Sequence, residues 1–384
     1  MENFTYHNPV KIVFGKGTIS QLNRLIRRDQ KIMILYGGGS IKKNGVYDQV
    51  ISALDGYDLV EFAGIEPNPQ YDTCVRATAT AKSEKVDFLL AVGGGSVLDA
   101  TKFIAAAIPY KGKDTWDILT HNKPIRSALP LGSVLTLPAT GSEMNTNAVI
   151  SRDSTGEKLA FSSSRLYPVF SILDPETTFS LPRRYVINGI VDSFVHVTEQ
   201  YLTYDVRAPL QDRQAEAILL TLIDIGPQIL RDPEDYDVRA ALMWCSTNAL
   251  NGLIGCGVPG DWATHIIGHE LTVLHGLDHA ITLAIVLPAV LSHQKTRKAK
   301  KLVQFAERVW DIEEPDEERK IDMAIERTKA FFNHVGMPTR LRDCGITASE
   351  CLKAAERIDN RGVRPGEHGD IRKKQIEEIL FLAE

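Results

Sequence analysis

Phe88-Leu-Leu-Ala-Val-Gly-Gly-Gly-Ser-Val-Leu-Asp99 is the stretch that decides how this chain folds. Five apolar residues in a row describe a strand buried on both faces, as the strands of parallel sheets are. The run breaks into Gly93, Gly94 and Gly95, and Ser96 opens a helix. That order sets free backbone amides and a helix dipole at the strand's carboxyl end, a cradle for a phosphate. Asp99 adds a carboxylate one turn into the helix, where the dipole favours it and where it could accept from a ligand. The device occurs again where Lys31-Ile-Met-Ile-Leu-Tyr36 runs into Gly37, Gly38, Gly39 and Ser40. One copy is equally well a tight strand-to-helix turn. Two copies after neighbouring strands point to a dinucleotide in the crevice there. Neither copy has the G-x-G-x-x-G spacing or the Lys-Ser/Thr of a P-loop, which argues against P-loop chemistry.

Outward from these loops, β-branched runs alternate with helical stretches. Val10–Phe14, Asp58–Phe62, Val134–Leu137 and Val169–Leu173 read as further strands. Thr136, Thr140 and Ser142 form a third cluster of hydroxyls, with free amides at Gly141 and its neighbours, after one of them. Asn147–Arg152 and Lys158–Phe161 flank Asp153-Ser-Thr-Gly156 as a hairpin. Lys158 either pairs a phosphate or is a solvated edge-strand lysine. Beyond Leu181-Pro182 the periodicity turns helical: Tyr185–Tyr201, Leu210–Leu230, Val238–Ile254, Trp262–Leu274, His279–His293, and four more to Leu382. At 384 residues two domains are expected. The pattern divides them into an α/β, Rossmann-like, mostly parallel domain over 1–182 and an all-α domain over 183–384.

Apolar content of 43% and charged content of 24% are those of a globular protein, and a net charge of -5 argues against a nucleic-acid or acidic-membrane surface. Five scattered cysteines without a C-x-x-C read as reduced intracellular thiols. No window has signal-peptide or membrane-spanning character, so a cytoplasmic protein is expected.

Asp261 to His279 holds four of the ten histidines within fifteen residues: His265, His269, His275 and His279. His265 with His269, and His275 with His279, have helical i, i+4 spacing, as do Asp192 and His196 upstream. Side chains so spaced share a helix face and can converge on one ion. A lone histidine is more often packed or solvated; five with an aspartate point to a metal site.

Together these motifs carry a resemblance. Gly37–Ser40, Gly93–Asp99, Thr136–Glu143, Gly189–Gln200 and His265–His279 make the chain resemble the iron-activated (group III) alcohol dehydrogenases over essentially its whole length. Phe14-Gly-Lys-Gly17, Ile65–Pro69 and Asn251–Ile254 fit the branch of NADPH-dependent aldehyde reductases and butanol-dehydrogenase-type members. The resemblance implies a dinucleotide-binding α/β domain, a helical domain, and a metal in the cleft between them. It places the ligands on Asp192, His196, His265 and His279, puts His269 near nicotinamide and substrate, and leaves His275 as a cleft or structural residue. Three imidazoles and a carboxylate suit Fe2+ and Zn2+ equally.

The expected activity is reversible hydride transfer between NADP(H) and aldehydes or primary alcohols, with the metal as Lewis acid. Proton delivery falls to water or His269. Gly37, Gly38, Gly39, Ser40, Gly93, Gly94, Gly95, Ser96, Asp99, Thr136, Thr140, Ser142 and Lys158 are the cofactor-binding candidates. In members of this family that prefer NAD an acid sits in the first glycine loop. Here that position is Gly39, and Ser40, Lys42 and Lys43 are at hand for a 2′-phosphate, so NADP(H) is expected over NAD(H). An NAD-dependent butanol or glycerol-type dehydrogenase is the alternative. Trp262, Met144, Asn147 and Phe161 are candidate substrate walls, and a homodimer joined through Phe4–Phe14 is expected.

Overall fold

The computed structural model describes residues 1–121 and 123–384, which form two compact units. One comprises His7–Pro182 with Glu234–Thr247; the other comprises Met1–Tyr6, Arg183–Pro233 and Asn248–Glu384.

The first unit is built on a six-stranded sheet of β1 (Lys11–Phe14), β2 (Lys31–Leu35), β3 (Asp58–Phe62), β4 (Phe88–Gly94), β5 (Leu131–Leu137) and β8 (Phe170–Leu173). All neighbours are parallel, in the order β1-β8-β5-β4-β2-β3. Alternate residues of a strand face opposite ways, and here both faces are covered. Ile32, Ile34, Leu90, Val92 and Ile172 enter one core with Leu22 and Val50. Met33, Leu35, Leu89, Ala91 and Leu173 enter another with Cys74 and Phe103. That is the Rossmann-like architecture read from the uninterrupted apolar runs. A separate antiparallel hairpin pairs β6 (Asn147–Arg152) with β7 (Glu157–Ser162).

The chain winds outward from β2 to β3 and then returns to β4, β5 and β8 on the other side of β2. The crevice at the carboxyl ends of β2 and β4 is therefore the switch point where open parallel sheets take ligands. Both glycine loops leave from it, and the Thr136–Ser142 segment follows the next strand. The two loops differ in build. Gly93 and Gly94 continue β4, and Gly95 begins the helix Gly95–Ala107. A Cβ on Gly95 would lie 2.5 Å from Thr140 Oγ1, so this glycine is required by close approach of two segments. After β2, Gly39 takes a left-handed φ of 90° and opens only the short helix Ser40–Lys43; Gly45, also left-handed, restarts the chain as Val46–Ala53.

The second unit is helical: Arg183–Tyr201, Pro209–Arg231, Ala263–His275, His279–His293, Ala299–Arg308, Glu317–Val335, Ala348–Asn360 and Lys373–Leu382. Arg183–Tyr201 is buried nearly all round from Val186 onward, as a central helix must be. The helix expected over Val238–Ile254 ends at Ala249. Left-handed Gly252 and Gly257 break it, and the Asn251 side chain accepts from Leu253 N instead. Among the described residues no helix is long and apolar enough to cross a membrane.

Candidate metal centre

Asp192, His196 and Glu199 occupy positions i, i+4 and i+7 of the Arg183–Tyr201 helix and so make one stripe along it. Facing them is the start of the Ala263–His275 helix. Asp261 prepares that start: its Oδ1 accepts from Ala263 N, and Lys298 Nζ holds its other oxygen at 2.6 Å. Trp262 then takes a left-handed φ of 60°, a strained choice for a bulky residue. Its indole stands edge-on to His265 and His196, with ring centroids 5.5 and 6.5 Å away.

One oxygen gathers the cluster. Asp192 Oδ1 lies 3.6 Å from His196 Nε2, 3.7 Å from His265 Nε2 and 3.9 Å from His279 Nε2. Donor atoms of Asp192, His265 and His279 all fall within 4.8 Å of one another. The His196 and His265 rings stack at 4.6 Å. These distances exceed hydrogen-bond length. Asp192 Oδ1 and His265 Nε2 are buried and have no hydrogen-bond partner among the described residues. Buried acceptors that converge without donors are costly unless a cation sits among them. The donor set of carboxylate and imidazole thus fits a divalent transition ion.

The electrostatics distinguish Asp192, His196 and His265 from one another. Burial alone would raise the Asp192 carboxyl, but His196, His265 and His279 outweigh it and hold it below the usual range. Burial pushes His196 down to about 4, so it is a neutral imidazole near pH 7. Burial also opposes a charged His265, yet Glu199 and Asp192 raise it to about 9. Glu199 is the residue that helical spacing alone did not flag. Its Oε2 bonds His265 Nδ1 and its Oε1 accepts from Thr264 N at 2.6 Å. Its place on the Asp192-x-x-x-His196-x-x-Glu199 stripe is visible in the sequence, but its partner His265, 66 positions away, is not.

Of the other histidines, His269 has its ring 5.0 Å from His279 and 6.3 Å from His265, half-buried beside the cluster. His275 points elsewhere: its Nε2 meets the buried Cys351 Sγ at 3.5 Å, which makes it a packing residue.

In the sheet unit, Asp99 is fully engaged within the protein. Its oxygens accept from Ser142 Oγ at 2.7 Å and Val149 N at 2.9 Å, and burial raises its carboxyl. Lys102, wholly buried on the same helix, donates to Ser142 Oγ, Asn145 Oδ1 and Asn147 O. Lys158 is no solvated edge lysine: it is buried, and its Nζ donates to Asn68 Oδ1 at 2.9 Å. Thr136 is buried, whereas Gly38 and Ser40 are exposed. Lys42 is drawn aside by Glu61, at 3.0 Å, and lies over the rings of Tyr36 and Tyr47. Phe161, a candidate substrate wall, packs in the core against Phe103.

Comparison with known proteins agrees with this layout. Residues 9–175 match the family model for "Iron-containing alcohol dehydrogenase", and residues 186–383 match "Fe-containing alcohol dehydrogenase family, C-terminal". The sequence is 56% identical, over 97% of each chain, to the NADPH-dependent aldehyde reductase YqhD of Escherichia coli (strain K12). It is 42% identical to the probable NADH-dependent butanol dehydrogenase 1 of Bacillus subtilis (strain 168), over 100% of this chain and 99% of that one. The crystal structure of E. coli K-12 YqhD matches with a TM-score of 0.98 at 54% identity, covering 100% of this chain and 99% of that one.

Proposed function

Because the chain belongs to the iron-containing alcohol dehydrogenase family, we propose that it is an NADPH-linked reductase of short aldehydes, reversible toward primary alcohols. The observation that carries this reading is the convergence of three imidazole nitrogens on Asp192 Oδ1, with buried acceptors left unpaired.

Asp192, His196, His265 and His279 would hold one divalent ion, Fe2+ or Zn2+; the family's description favours iron, and the donor set accepts either. Such an ion supplies a Lewis acid for a carbonyl oxygen, and NADPH supplies the hydride. The protein's own residues do the rest. Trp262 covers one side of the histidine pair and keeps water from it. His269, beside the cluster, holds the proton that the product alcohol needs on an imidazole nitrogen. The amides after β2 and β4 bind the pyrophosphate, with Gly37, Gly38, Gly39, Ser40, Gly93, Gly94, Gly95, Ser96, Thr136, Thr140 and Ser142 forming the bed. Asp99 supports that bed through Ser142, and Lys158 is held by Asn68.

NADPH is preferred over NADH because the first loop carries Gly39 in place of an acid, with Ser40 and Lys43 exposed beside it; the relative at 56% identity is described as NADPH-dependent. One observation favours NADH instead: Glu61 brings a carboxylate next to Lys42. A homodimer is supported by the outermost position of β1 and by exposed Phe14 and Val169 near that edge. Five free cysteines support a reducing, cytoplasmic setting.

The test is metal analysis of purified protein together with NADPH- and NADH-linked reduction of a panel of short aldehydes. Failure to oxidise either coenzyme after reloading with iron or zinc would sink the proposal.

A further inference from the structure

We propose that Glu199 is the positioning residue that fixes the tautomer and orientation of His265, and that the ion affinity of the centre depends on it. The inference rests on the metal reading above. Glu199 is 2% exposed, on the same helical stripe as Asp192 and His196. It is tied to the opposing segment at three points. Its backbone oxygen accepts from Asp261 N at 2.9 Å, its Oε1 accepts from Thr264 N at 2.6 Å, and its Oε2 meets His265 Nδ1.

An ionised carboxylate only accepts hydrogen bonds, so the imidazole must donate from Nδ1. In the neutral ring that leaves the lone pair on Nε2, the nitrogen 3.7 Å from Asp192 Oδ1. The opposite tautomer would put a proton in the space where Asp192, His265 and His279 converge and would spend one ligand. The ring plane is fixed as well, because Glu199 is itself anchored by the Thr264 amide one residue before the histidine. A carboxylate is needed at this position for a countable reason. Two N–H donors, Thr264 N and His265 Nδ1, arrive at its two oxygens. A glutamine supplies one acceptor oxygen and an NH2 group, so it satisfies one donor and turns a second donor toward the other. If the amide group faces His265, the imidazole is driven to the tautomer with Nε2 protonated. Outer partners of this kind typically raise ion affinity by 10–100-fold.

The experiment strips metal from wild type, Glu199→Gln and Asp192→Ala, then titrates each with Zn2+ against a competing chelator. Co2+ absorption spectra and thermal unfolding of the metal-free proteins are recorded in parallel. The expected result is one tight Zn2+ in wild type, an affinity roughly 10–100-fold weaker in Glu199→Gln, a changed Co2+ spectrum in that variant, and near wild-type unfolding without metal. Wild-type affinity and spectrum in Glu199→Gln would overturn the role of Glu199 while leaving the metal reading intact. So would an affinity loss that tracks an equal loss of metal-free stability. No Zn2+ uptake by wild type would overturn both. Should Glu199→Gln fail to fold, 15N-histidine spectra of zinc-loaded wild type decide the matter. The proposal requires a proton on His265 Nδ1, with the signal identified by its loss in His265→Ala; a proton on Nε2 overturns it.

Discussion

The Lys102 ammonium lies 2.8 Å from the Ser142 hydroxyl, and that hydroxyl donates in turn to Asp99 across 2.7 Å. A wholly buried cation and a half-buried carboxylate are thus joined through one side chain of the Thr136–Ser142 segment. The helix after the second glycine loop and the loop after β5 are held as one piece.

Replacing Lys102 by Met keeps the side chain's length but strands the buried Glu143 without a nearby cation and leaves Asp99 only the more distant field of Lys158. Leaving a buried charge unpaired costs about 3 kcal/mol or more, which for a unit of this size lowers Tm by roughly 6–12 °C. Thermal unfolding followed by circular dichroism measures it; an unchanged Tm would refute the pairing.

The same lysine gives a pH signature. Burial lowers the Lys102 ammonium from 10.5 to about 8. The unfolded chain therefore binds this proton more tightly than the folded protein. Between pH 8 and 10.5 the folded state has lost the proton while the unfolded state keeps it, so this group's contribution to stability rises with pH across that window. Denaturant midpoints compared between wild type and Lys102→Met over this range should diverge with that sign.

Asp192→Ala removes the oxygen on which three imidazoles converge. Its ion affinity should fall by more than the roughly 100-fold that loss of an outer partner costs, and aldehyde reduction should fall with it. An active protein without metal, judged by elemental analysis beside kinetics, contradicts the centre described here.

His269→Ala should separate the two properties. The ring stands 5.0 Å from His279 but outside the Asp192 cluster. Metal content should hold while kcat drops about 10²–10⁴-fold, the usual worth of a positioned acid–base group. Full activity at every pH tested would remove the residue from proton handling.

Coenzyme choice should respond to Glu61. Tyr36 and Glu61 raise the Lys42 ammonium, and although burial opposes it, Tyr47, Tyr36 and Lys42 together hold the Glu61 carboxyl down. Glu61→Gln frees Lys42 and removes a negative charge, so the ratio of kcat/KM for NADPH over NADH should rise a few-fold, about 3-fold, and less at high salt. A ratio that falls would reverse the assignment of this loop.

The fold was legible because its signals are local. Ile32 to Leu35 alternate between two cores with no polar residue among them, and only a sheet covered on both faces asks for that. The Asp192–His196 pairing was legible for the same reason, since one helix carries both. Contacts between distant segments were not. Glu199 and His265 are 66 positions apart, and Lys102 lies 40 from Ser142, so no spacing rule connects them. Lys102 raises no signal in the sequence, and Lys158 reads there as a phosphate partner or a solvated edge lysine, until partners such as Asn145 and Asn68 show why both tolerate burial. His275 has the right interval from His279, yet it ends one helix while His279 begins the next, separated by left-handed Gly276.

The four carboxylate and imidazole groups of the centre come from three helices, Arg183–Tyr201, Ala263–His275 and His279–His293. An ion gripped by all three closes a long span of chain and binds the native form alone, so by mass action it becomes a staple. At free ion a thousandfold above Kd this is worth about 4.1 kcal/mol. With an ion so held, the heat tolerance of the helical unit would depend on the ion supply of its surroundings as well as on its sequence.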